Sequence, residues 1–205
     1  MGILKRASRN LAGGRLGRLV TDRRGVAALE FALIAPLLLS MYFLTMEVGQ
    51  GIEANKKVGR AASMVADLVT QQQTTTKAEL NAILNIGSAI LQPYNRSKPT
   101  IIITAIEVTD ETTPKVKVAW SRKLSNGSYS VDQAAGTITT VPTALKIKGS
   151  FLVRVQSSLT YYPVITWAAG DKGTLGLTAA FDKLNMKETY YLRPRMTQAI
   201  SCSDC

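Results

Sequence analysis

Apolar and polar positions divide the chain into three stretches. As far as Arg24 there is no sustained apolar periodicity, and Arg, Gly, Ser and Asn alternate with single apolar residues. Such a segment is expected to lie outside the fold, against a membrane surface. From Val26 to Met46 the sequence reads VAALEFALIAPLLLSMYFLTM, 21 residues with Glu30 as the one charge. As a helix it spans roughly 31 Å at 1.5 Å per residue, the thickness of a bilayer core. A buried core helix is the alternative, but such helices seldom run this far without a polar face. Pro36 removes one backbone hydrogen bond and crowds the carbonyl of Ala32, so a kink is expected there, not a break.

Past Glu47 the helical pattern continues to about Val69. At about 100° per residue, Val48, Ile52, Val58, Ala62, Val65 and Val69 fall on one arc and Glu53, Lys56, Lys57, Arg60 and Asp67 on the other. One face is therefore expected to pack on a globular unit. The polar run from Gln71 to Thr76 ends in Thr76-x-x-Glu79, a capping box in which hydroxyl and carboxylate each satisfy an orphan N–H. A second helix is predicted from Lys77 to about Gln92, with Leu80, Ile83, Leu84, Ile90 and Leu91 buried and Pro93 as its stop. The remainder reads as strands: Ile101–Val108, an alternation of Val116, Val118 and Trp120, then Phe151, Val153 and Val155, and a short run at Thr189–Leu192. Asn126-Gly127 between Leu124 and Tyr129 is a hairpin turn signal. Loops are expected at Gln133–Pro142 and Ala168–Gly176. The class is α+β, with a long N-terminal helix, a second helix and a mainly antiparallel sheet.

Charge gives this frame an orientation. The net charge is +11, and Lys5, Arg6, Arg9, Arg15, Arg18, Arg23 and Arg24 face only Asp22 before the apolar run. A basic tail can bind nucleic acid, but beside an apolar run the positive-inside rule accounts for it and keeps it cytoplasmic. The expected organisation is a cytoplasmic leader at 1–25, a transmembrane helix at 26–46 and a periplasmic domain at 47–205. The chain has no histidine, which removes the Ser-His-Asp and Cys-His arrangements and the usual zinc ligands. Asp110 and Glu111 are adjacent, so on a strand they point to opposite faces and make a poor acid/base pair. No enzyme, cofactor, metal, nucleic acid or small-molecule substrate is expected. Cys202 and Cys205, the only cysteines, cannot complete a four-ligand zinc site and are expected as a disulfide closing a short loop at the chain end, with little effect on folding.

One stretch stands apart: Arg23-Arg24-Gly25-Val26-Ala27-Ala28-Leu29-Glu30-Phe31, a basic pair and a glycine followed by an apolar helix whose fifth residue is glutamate. With Ala32-Leu33-Ile34-Ala35-Pro36-Leu37-Leu38 it resembles the processing site of type IV pilins and, more closely, of the TadE/TadG-like pseudopilins of tight-adherence (Flp) pili. The resemblance covers residues 23–48. It implies a cut by a prepilin peptidase between Gly25 and Val26, which makes Glu30 mature position five beside Phe31. It also implies, as partners, other pilin-like subunits and the pilus secretion machinery at a bacterial inner membrane. Major Flp pilins are far shorter and usually carry Glu-Tyr where this chain has Glu30-Phe31, so the resemblance points to a minor component. TadG-like proteins often carry an Asp-x-Ser-x-Ser metal motif, which this sequence lacks.

Physical chemistry bears on Glu30 independently. A carboxylate inside a membrane helix costs roughly 2.5 to 3.5 kcal/mol on insertion scales and usually has a partner. No basic residue follows it until Lys56. A cut before Val26 creates a new α-amino group able to pair with Glu30 of a neighbouring subunit. Alternatively Glu30 lies shallow and snorkels to the headgroups near Arg23-Arg24. At the level of function, the alternative is an unprocessed, membrane-anchored periplasmic binding or adaptor protein, which has no use for Gly25 and Glu30. Cleavage after the apolar run would need a small-x-small site, and none lies just beyond Met46.

Overall fold

The computed structural model describes residues 25–94, 96–163 and 183–205. The basic leader before Gly25 and the loop expected at Ala168–Gly176 lie outside them. The chain divides into two units at Met46/Glu47.

The first unit consists, in its described part, of the opening turns of helix α1 (Val26–Thr70). The helix continues through Pro36 without a break. Its polar side chains bond to its own carbonyls: Ser40 Oγ donates to Leu37 O at 2.8 Å, and Thr45 Oγ1 donates to Met41 O and Tyr42 O. The Ser40 and Thr45 hydroxyls are thereby satisfied without water, as a hydrocarbon setting would demand.

In the second unit α1 packs against a five-stranded sheet. Its buried face is Ala54, Val58, Ala61, Ala62, Val65, Ala66, Val69 and Thr70, a stripe of small side chains that allows the sheet to come close. The apolar arc read from the sequence begins too early. Val48 and Ile52 are 52% and 54% exposed, and the buried face begins only at Ala54. After strand β1 (Thr74–Thr75) comes helix α2 (Lys77–Ile90) with its capping box formed: Glu79 N donates to Thr76 Oγ1 at 3.2 Å and Thr76 N to Glu79 Oε2 at 2.9 Å. Leu80, Ile83, Leu84 and Leu91 are buried, while Ile90 is half-buried. Gly87 is a close approach: a Cβ there would come within 2.6 Å of Val65 Cγ2 and 3.0 Å of Ile101 Cδ1.

The sheet contains β2 (Thr100–Val108), β3 (Val116–Ser125), β4 (Ser128–Ser130), β5 (Phe151–Tyr161) and β6 (Leu184–Leu192), in the order β4-β3-β2-β5-β6 and antiparallel throughout. Asn126 and Gly127 have φ of 53° and 81° between the paired Ser125 and Ser128, the two positive values that a type I′ hairpin turn requires. The alternation of Val116, Val118 and Trp120 is not kept on one face. Ala105 pairs with Trp120 but Ile106 with Val118, which leaves Ala119 as an extra residue in a β-bulge. Because strand side chains alternate with period two, the bulge transfers the start of β3 to the opposite face. Trp120 joins the main core against the helices, and Val116 joins a smaller cluster with Ile106, Val108 and Leu152 on the second face. That cluster is covered by Val141 and Leu145 from the segment between β4 and β5.

The C-terminus is built into this unit. Strand β7 (Ser201–Cys202) pairs parallel with β1, Ile200 is buried, and Trp120 Nε1 donates to Ile200 O at 2.8 Å. Arg195 N donates to Thr70 O at 2.9 Å at the end of α1, and Asp204 Oδ1 accepts from Lys77 N at 2.7 Å at the start of α2. Aspartate on a first-turn N–H is favoured by both the orphan donor and the helix dipole.

Candidate functional site

The first unit's site is an exposed apolar helix surface interrupted by one carboxylate. Every large apolar side chain from Val26 to Met46 is exposed, with Phe31 at 72%. Tyr42 and Phe43 meet edge to face, ring centroids 5.6 Å apart. A continuous apolar surface of this extent is not stable against water and must meet lipid or other helices. Among the described residues α1 is the one helix long and apolar enough to cross a membrane. Glu30 stands on this surface, exposed, in no hydrogen bond or ion pair with a described residue. Gly25 has nothing within 4 Å of where a Cβ would sit, and its φ is not in the left-handed region. No contact with a described residue therefore asks for glycine at 25.

At the start of the second unit is a cluster that sequence reasoning missed. Tyr161 at the end of β5 donates its hydroxyl to Glu47 Oε1 at 2.6 Å, and Tyr94 donates to Glu53 Oε2 at 2.8 Å. Lys57 lies 3.6 Å from Glu53, donates to Gln92 O at 2.6 Å and sits 5.2 Å from the Tyr94 ring centroid. The two tyrosine rings meet edge to face at 6.0 Å. Burial, then the bond to a carboxylate, raises both phenol pKa values above the usual 10. A cleft of about 100 Å³ lies beside them, lined by Gln50, Pro93, Tyr94, Arg96, Tyr161 and Tyr162. These bonds fix the first turns of α1 past the apolar run to the end of β5 and to the segment after α2. The sequence separations of 114 and 41 residues leave no local signal of either pair.

Cys202 and Cys205 are joined by a disulfide with Cα atoms 5.6 Å apart. The bond closes the turn that presents Asp204 to Lys77 N. Asp204 and the two sulfurs are the one trio of potential metal-ligating groups among the described residues, and both sulfurs are engaged with each other.

A single apolar N-terminal helix leading into an α+β unit is compatible with a single-pass membrane anchor. Residues 25–67 match the family described as TadE-like protein. The match takes in Gly25, Glu30, Phe31, Pro36 and the first turns of the packed helix. It supports a relation of this stretch to TadE-like proteins of the tight-adherence pilus. No curated protein and no solved structure matches the chain.

Proposed function

We propose that this chain is a minor pseudopilin of a tight-adherence pilus, held in a bacterial inner membrane with its N-terminus cytoplasmic and its α+β unit periplasmic. In this reading a prepilin peptidase cuts between Gly25 and Val26, and Glu30 then pairs with the new α-amino group of a neighbouring pilin-like subunit. The observation that carries it is the pairing of two features without use among the described residues: a glycine that no described contact needs and, five residues on, a carboxylate with no described partner on an exposed apolar helix. A glycine at the border lets backbone enter a protease cleft without a side chain in the way. An unpaired carboxylate facing hydrocarbon is retained only where something outside the chain compensates it.

Substitution separates the two roles. Glu30→Ala is expected to insert at least as well as the wild type, because a buried charge is gone, to be cut largely as before, and to fail to support pili. Gly25→Leu is expected to block the cut. Sheared pili and surface adhesion measure assembly, and immunoblot mobility measures processing. Normal pili from Glu30→Ala would overturn the pairing role.

A further inference from the structure

The cleft beside the two tyrosine–glutamate pairs opens close to where the apolar run ends along α1. Gln50, its wall on α1, follows Met46 by about 6 Å of helix axis at 1.5 Å per residue. Pro93, Tyr94 and Arg96 from the segment after α2, with Tyr161 and Tyr162 at the end of β5, complete the described lining. Arg96 and Tyr162 are exposed, so a group arriving from outside can reach both. Arg96 makes no ion pair with a described carboxylate, yet its charge is felt at the Tyr161 hydroxyl. The carboxylates around it are engaged by other donors. Glu47 accepts from Tyr161, and Glu53 accepts from Tyr94 and pairs with Lys57.

We infer that this cleft receives the phosphodiester of a membrane phospholipid. The inference rests on the membrane reading of the apolar run, which brings the end of that run, and with it Gln50, to headgroup level. Tyrosine rings are enriched at that level, where an apolar body and a polar tip are both accommodated. A phosphodiester carries one negative charge, which the Arg96 guanidinium can meet with two parallel N–H donors. The Gln50 amide and the Tyr162 hydroxyl supply neutral donors beside it. At about 100 Å³ the cleft is far smaller than the roughly 300 to 1,000 Å³ that enclose a whole small ligand. It therefore takes one group of a larger molecule. The bilayer that holds α1 presents its headgroups at high effective concentration, so a contact too weak to retain free phosphate suffices for a lipid.

The test uses the full chain in maltoside micelles, which contain no phosphate, titrated with dihexanoylphosphatidylglycerol, dihexanoylglycerol or inorganic phosphate. The Arg96 Nε–H and Gln50 side-chain amide resonances report occupancy. The phospholipid is expected to shift both saturably, dihexanoylglycerol to shift neither, and inorganic phosphate to act at least tenfold more weakly. Arg96→Gln, a change at an exposed position, is expected to weaken the phospholipid response of Gln50 at least fivefold. Equal responses to the phospholipid and dihexanoylglycerol would overturn the proposal, as would an undiminished Gln50 response in Arg96→Gln. Inorganic phosphate as effective as the phospholipid would overturn the lipid as occupant. Fractionation of cells keeps this inference apart from the reading beneath it: wild-type chain found outside the membrane fraction would contradict the anchor itself, whereas membrane-bound chain with either of the first two outcomes contradicts the cleft alone.

Discussion

Glu47 follows the apolar run directly, and the Tyr161 hydroxyl reaches it from the far end of β5. A hydrogen bond to a charged group contributes about 1.5 to 3 kcal/mol when enclosed and less when half-exposed. Tyr161→Phe is therefore expected to lower the stability of the second unit by about 1 to 2 kcal/mol with little change to the rest of the fold, read by chemical denaturation. The pH dependence has a definite sign. Both tyrosine pKa values are raised in the folded state, so their contribution is complete below the unfolded value near 10 and is lost as pH climbs toward the folded values. Stability is expected to fall above about pH 10, and less steeply in a Tyr94→Phe, Tyr161→Phe double variant. An unchanged slope in that variant would show that other groups set the alkaline limit.

Elements with a local signature were legible in the sequence: the apolar run, the capping box of α2, the Asn126-Gly127 hairpin and the apolar strands all carry their pattern within a few residues. Elements that depend on distant partners were not. Leu184–Glu188 has no clean alternation and extends β6 only because it pairs with β5. The bulge at Ala119 is invisible in a run that alternates without fault. Gly25 and Glu30 stood out because their oddity is local. The C-terminal residues looked like a loose end, yet they join the end of α1, β1 and the start of α2. Ile200 anchors this strap, so Ile200→Ala is expected to destabilise by about 2 to 5 kcal/mol. Replacing Cys202 and Cys205 by Ser removes only a short-loop constraint, no more than about 2 kcal/mol. Denaturation of the two variants side by side checks the order; a larger loss from the cysteine pair would make the disulfide, not Ile200, the anchor.

For the whole molecule, the proposal joins the basic leader, the exposed apolar run and the α+β unit in a subunit delivered to a membrane and released from its leader there. In the proposed reading the charge asymmetry sets the orientation by the positive-inside rule. A periplasm-dependent reporter fused after Cys205 is expected to be active and a cytoplasm-dependent one silent; the reverse would end the pseudopilin reading. The most direct measurement is the intact mass of membrane-extracted protein from cells with and without an active prepilin peptidase. With the peptidase, the account predicts a chain that begins at Val26 and lacks residues 1–25; without it, a chain that retains them. A protein still beginning at Met1 in the presence of the active peptidase would contradict the account and leave an unprocessed membrane-anchored adaptor in its place.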